Sequence, residues 1–138
     1  MIKTLLILVD NLMTTIMIVD DQESLSTILE VVLENEYKII KANNGREGLE
    51  LFQRHRPALI ITDNRMPEMN GSEMINAIRK IDNSVKIIVL ASYSDRELRT
   101  LLANGADICL PKPITVNTLV AAIKDLLSGG ASRSSKAC

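Results

Sequence analysis

Tryptophan is absent, and the 138 residues hold one Phe and two Tyr. A base-stacking platform or an aromatic-lined pocket is therefore not what this chain is built around. Neither sign of charge is in excess: 16 basic and 17 acidic residues leave a formal net charge of −1. With no polybasic run, nothing advertises a nucleic acid or an anionic membrane surface as partner. Two cysteines, Cys109 and Cys138, make no disulfide framework. Cys109 lies in an apolar run and reads as a small buried hydrophobe, Cys138 as an exposed residue near the chain end. A reduced, cytoplasmic setting is expected. No apolar stretch approaches the length of a membrane span. What is abundant is aliphatic: hydrophobic residues make up 46% of the chain, enough to fill one domain's core.

Residues 1–13 read as an N-terminal extension. Met1-Ile2-Lys3 and Leu5 to Val9 faintly resemble a signal peptide, but the apolar part is short and runs into Asp10-Asn11. From Thr15 onward, short apolar runs alternate with helical periodicity. Thr15 to Val19 is β-rich and stops at Asp20-Asp21. Leu25, Ile28, Leu29, Val32 and Leu33 then recur at helical spacing, predicting a helix over about 23–35 with these residues inward. Tyr37 to Ala42 reads as a strand. Asn44 with Glu47 predicts a capped helix that Pro57 bars from continuing. Leu59 to Asp63 is a strand, and Asn70 with Glu73 repeats the cap before Met74, Ile75 and Ile78. Val85 to Leu90 is a strand; Ser94-Asp95-Arg96-Glu97 reads as a capping box for a helix that Gly105 ends. Asp107 to Leu110 is a strand, Thr115 caps a last helix, and Gly129-Gly130 stops it. Residues 129–138 read as a disordered polar tail.

The sum is five strands and five helices in alternation, one domain over residues 14–128. Strands apolar along their whole length are parallel strands covered on both faces. Right-handed crossovers then give a doubly wound α/β sheet, here of flavodoxin-like order 2-1-3-4-5. In such a sheet all carboxyl ends share one edge. Asp20 and Asp21 end the first strand, Asp63 the third and Ala91 or Ser92 the fourth, while Lys112 follows the fifth. Three carboxylates gathered there repel one another unless a cation joins them. A hard divalent ion such as Mg²⁺ suits oxygen ligands and keeps room for phosphate oxygens. Lys112 adds a fixed positive charge, Ser92 a hydroxyl, and Asp63 a candidate nucleophile for phosphoryl transfer. Each residue taken singly has a plainer reading. Asp20 and Asp21 equally suit a helix cap, Asp63 an Asx-turn and Lys112 a solvated cation.

Residues 14–128 resemble the receiver domain of two-component response regulators. The resemblance is carried by Ile18-Val19-Asp20-Asp21, Leu59 to Asp63 with Arg65-Met66-Pro67 and Asn70-Gly71, Gly105-Ala106-Asp107, and Lys112-Pro113. Asp21 and Asp63 are 42 residues apart, which suits the family. The resemblance implies that Asp63 is the phospho-acceptor, supplied by a sensor histidine kinase or phosphotransfer protein. It implies that Asp20, Asp21, Asp63 and the Arg65 backbone carbonyl bind Mg²⁺ or Mn²⁺. Lys112 would contact the phosphoryl group, with a cis peptide before Pro113. Output would pass through the face made by the fourth helix, fifth strand and fifth helix to an effector, or to a phosphorylation-dependent homodimer. Neither nucleic acid nor membrane would be bound directly, and the domain would catalyse only its own phosphorylation and dephosphorylation.

Two positions depart from the family pattern. Its switch hydroxyl falls on Ala91 by spacing from Asp63, or on Ser92 one residue later. Its usual aromatic three residues before the lysine is Cys109. These departures keep a phosphorylation-independent docking module open as an alternative. A haloacid-dehalogenase-type phosphohydrolase would need a second Asp after Asp63-Asn64, where Arg65 stands. A flavin binder would need aromatics and a phosphate-tolerant first loop, and Asp20-Asp21-Gln22-Glu23 supplies neither. His55 reads as an exposed residue favoured by its helix C-terminus.

Overall fold

A computed structural model describes residues 13–92 and 95–129. The strands β1 (Thr15–Val19), β2 (Lys38–Ala42), β3 (Leu59–Asp63), β4 (Lys86–Ala91) and β5 (Ile108–Pro111) form one sheet of order β2-β1-β3-β4-β5. Every pairing is parallel, with Val19 opposite Thr62, Asp63 opposite Leu90, and Ala91 opposite Pro111. The helices are α1 (Glu23–Leu33), α2 (Gly45–His55), α3 (Gly71–Arg79), α4 (Asp95–Asn104) and α5 (Val116–Leu127). This is the expected five-stranded doubly wound fold.

Alternate residues of each strand feed two apolar layers, as the pleat requires. Met17, Ile60 and Val89 pack with Phe52, Met74, Ile78 and Leu101 from α2, α3 and α4. Ile16, Ile18, Ile61 and Ile88 pack with Leu29, Leu33, Leu119 and Ile123 from α1 and α5. Each fully buried Leu, Ile or Phe side chain contributes about 1.5–3 kcal/mol in transfer from water. Cys109 is buried in the first layer, as a small hydrophobe should be. His55 is exposed at the end of α2.

Helix starts follow the expected caps. Asn70 and Glu73 form a full capping box, each side chain accepting from the other's backbone N–H at 2.8 and 3.3 Å. Asn44 is a simpler cap: its side chain accepts from Glu47 N at 2.9 Å, but the Glu47 carboxylate turns to Asn43 at 3.5 Å. Thr115 caps α5 through Thr118 N. Gly105, just past α4, has φ +118°, the left-handed backbone that suits glycine after a helix. The side chains that would make the cap at Ser94 lie outside the described residues, as do residues 1–12 and the 130–138 tail.

One expectation fails. Ile28 and Val32 are 51% and 46% exposed, so α1 buries a narrower stripe than its periodicity suggested. Of the five apolar residues, Leu29 and Leu33 are buried and Leu25 is half-buried. An apolar residue a quarter-turn off the buried line has no neighbour to cover it there. Strand edges also move by one residue. Asp107 stands just outside β5 because its carboxylate accepts from Ile87 N at 2.8 Å, bridging the strand start with a side chain. Among the described residues no helix is long and apolar enough to cross a membrane.

Candidate functional site

Parallel strands bring their carboxyl ends to one rim, and the acids arrive there for local reasons. Asp20 follows β1; its N–H donates to Ala42 O at 3.0 Å and its Oδ1 accepts from Gln22 N at 2.9 Å. That turn exposes Asp21 while Asp20 stays 8% exposed. Asp63 is the last residue of β3, and its Oδ1 accepts from Asn64 N at 2.8 Å. One carboxylate oxygen from each of Asp20, Asp21 and Asp63 lies within 4.8 Å of the others. From the far side, Lys112 Nζ reaches Asp63 Oδ2 at 3.0 Å. Lys112 is placed by β5, its N–H donating to Ala91 O at 2.9 Å, and the Lys112–Pro113 peptide is cis. A cavity of 170 Å³ opens over the group, with Asp21, Asp63, Asn64 and Arg65 on one side and Ala91, Ser92 and Lys112 on the other.

The electrostatics fit a cation. Burial pushes the Asp20 carboxyl above its ordinary value; the Gln22 N–H opposes this, Asp63 adds to it, Lys112 opposes it and Asp21 adds to it. Three carboxylates at this spacing, with the Lys112 ammonium on Asp63, make a group that a bound cation would complete. An all-oxygen set of three carboxylates with space for water is the donor chemistry of Mg²⁺ or Mn²⁺.

The response regulator receiver domain model matches residues 16–124.

This chain belongs to the response regulator receiver family.

Among its relatives is the transcriptional regulatory protein CpxR homolog of Haemophilus influenzae, 37% identical over 123 residues. The match covers 88% of this chain but 54% of that protein, so the chain spans about half of that relative's length. The chemotaxis protein CheY of Halobacterium salinarum is 31% identical over 82% of this chain and 96% of its own. Among solved structures, the chemotaxis response regulator CheY4 of Vibrio cholerae matches with TM-score 0.77 at 30% identity, over 83% of this chain and 98% of that one. Receiver domains are signalling modules that interact with histidine kinases, phosphotransfer proteins and effector domains.

Within this receiver domain the two candidate switch residues differ in setting. Ala91 is the last residue of β4 and is 2% exposed; Ser92 follows it, is exposed, and lines the same cavity. Two contributors were not legible in the sequence. Gln22 turns the chain so that its N–H holds Asp20. Asn64 is 8% exposed, lines the cavity, and its Oδ1 has no hydrogen-bond partner among the described residues. Its only sequence signal is being a polar residue directly after a strand's terminal acid. Met66 and Met69, beside the site, pack against the core, as their type suggests.

Proposed function

We propose that Asp63 is the phospho-acceptor of a two-component signalling domain. One oxygen of its carboxylate forms the P–O bond as the P–N bond to a donor phosphohistidine breaks. The imidazole leaves with the electron pair. The observation that carries this reading is the joint geometry: carboxylate oxygens of Asp20, Asp21 and Asp63 within 4.8 Å of one another, Lys112 on Asp63 at 3.0 Å, and a cavity lined by Asp21, Asp63 and Lys112. Asp20, Asp21, Asp63 and the Arg65 carbonyl would hold Mg²⁺ or Mn²⁺, which when bound neutralises charge on the phosphoryl oxygens. Lys112 then has two roles: it screens Asp63 before transfer and meets a phosphoryl oxygen afterwards. Ser92 is the hydroxyl at hand for another of those oxygens, since Ala91 has none.

The donor is a sensor histidine kinase or phosphotransfer protein, and the setting is cytoplasmic. Half-buried Leu25 lines a hollow on the other side of Lys112, together with Pro113 and Ile114. Exposed Ile28 and Val32 on α1 extend that apolar strip, which supports docking of a donor beside the site. Output through the α4-β5-α5 face, to an effector or a second copy, belongs to the same reading. The direct test is mass spectrometry after incubation with acetyl phosphate. A phosphoryl adduct that needs divalent metal and is lost in Asp63→Asn supports the reading; no adduct on the native protein ends it.

A second reading, docking without phosphorylation, is favoured by Ala91 and Cys109. Neither can make the hydroxyl or ring movements through which the family relays its state. A partner bound equally well with and without Asp63 would favour it.

A further inference from the structure

Asp63 is joined to α4 by a second route that needs neither a hydroxyl at Ala91 nor a ring at Cys109. It begins with the bonds that phosphorylation must disturb. Both carboxylate oxygens of Asp63 are engaged, Oδ1 by Asn64 N at 2.8 Å and Oδ2 by Lys112 at 3.0 Å. Esterifying either oxygen weakens it as an acceptor and adds bulk. Asn64 can respond, because its buried Oδ1 has no partner among the described residues to give up. Its carbonyl accepts from Gly71 N at 2.8 Å, at the first residue of α3. That approach is so close that a Cβ on Gly71 would lie 2.6 Å from Asp63 O. The loop between is tethered on its far side, where Met69 O accepts from Gly45 N of α2 at 3.0 Å. The next residue, Ser72, has its hydroxyl in a 2.7 Å hydrogen bond from Asn104 Nδ2, at the last residue of α4.

We propose that the state of Asp63 reaches α4 through the first turn of α3, with the half-buried Ser72–Asn104 hydrogen bond made in one state and broken in the other. This rests on Asp63 being the phospho-acceptor. Ser72 and Asn104 are positioning residues and touch no reacting atom. A fixed point lies beside the bond: buried Arg79 donates to Gly105 O at 2.9 Å and to Asp107 at 3.0 Å. The Arg79 contacts anchor Gly105 and Asp107, just past α4, while the part-exposed bond at Asn104 changes. A coupling of this kind needs an element with two arrangements rather than a line of intermediates. A bond that water can replace on both partners is such an element.

The test uses the full chain with beryllium fluoride and Mg²⁺ as the phosphoryl mimic. Amide hydrogen exchange is read at residues 100–104 of α4. In the native protein, protection there should change by about fivefold or more on adding the mimic. In Ser72→Ala and Asn104→Leu the change should vanish while the mimic still binds Asp63, as seen by exchange at Asn64 and Arg65. Asn104→Asp keeps a hydrogen bond by accepting from the Ser72 hydroxyl, so it should retain the response. This rescue separates the coupling from general loosening of α4. A native response preserved in both Ser72→Ala and Asn104→Leu overturns the proposal, as does a bound mimic with α4 unchanged in the native protein. Failure of the mimic to bind the native protein overturns the acceptor assignment instead.

Discussion

Two ion pairs in this receiver domain have the same length, 3.0 Å, and opposite characters. Arg79–Asp107 is sealed, with side chains 7% and 5% exposed. Backbone groups anchor it further: Gly105 O and Asp82 O accept from the guanidinium, and Ile87 N donates to the carboxylate. Lys112–Asp63 is open, with the lysine 37% exposed, and Asp20 and Asp21 crowd its carboxylate. The first pair is satisfied and structural. The second lies among further carboxylates and lines a cavity, which suits the proposed transfer of a phosphoryl group to Asp63. Distance alone does not distinguish a strut from the proposed acceptor site; the neighbours of the pair do.

That contrast can be broken from either side. Asp63→Asn should abolish the metal-dependent phosphoryl adduct while leaving the unfolding transition in place, checked by mass spectrometry and circular dichroism. Arg79→Ala should do the reverse: a buried Asp107 left alone costs about 3–5 kcal/mol in urea unfolding, and the adduct still forms under folding conditions. Replacing both partners, Arg79→Met with Asp107→Leu, should cost much less than Arg79→Ala, because no charge is stranded. Asp20→Asn sharpens the comparison at the rim. The folded state holds the Asp20 proton more tightly than the unfolded chain does. Its contribution to metal-free stability is therefore greatest in acid and is lost as pH rises through its raised value. With chelator present, Asp20→Asn should raise the thermal midpoint by a few degrees at neutral pH and flatten its pH dependence, while metal affinity falls. The smallest effect belongs to Lys112→Met: under about 1 kcal/mol of stability, since its head group is partly in water. Its adduct should nonetheless form markedly more slowly.

The sheet and its rim were legible because parallel strands write themselves as unbroken apolar runs. Ile16 to Val19, Leu59 to Ile61 and Ile87 to Leu90 leave little else to choose, and each runs into its rim residues. Lys112 needed only the strand order to join them. The Arg79–Asp107 pair was not legible, since its partners are 28 residues apart and meet through a turn. Asp107 was visible as the start of a strand and as part of a motif, not as the partner of Arg79. Asn104 and Ser72 look like any surface polar residues until the helices cross. Ile28 and Val32 were misplaced because periodicity gives a direction for the buried face but not its width. That width depends on which neighbour lies alongside.

The close approaches at Gly45 and Gly71 carry a practical consequence for anyone diversifying this domain. A Cβ at Gly45 would stand 2.3 Å from Met69 O, and one at Gly71 2.6 Å from Asp63 O; both obstacles are main chain and cannot swing aside. Randomised libraries of the rim should therefore tolerate many residues at exposed Arg65, favour Gly, Asn or Asp at position 68, where φ is +67°, and return glycine at 45 and 71 in nearly every functional clone.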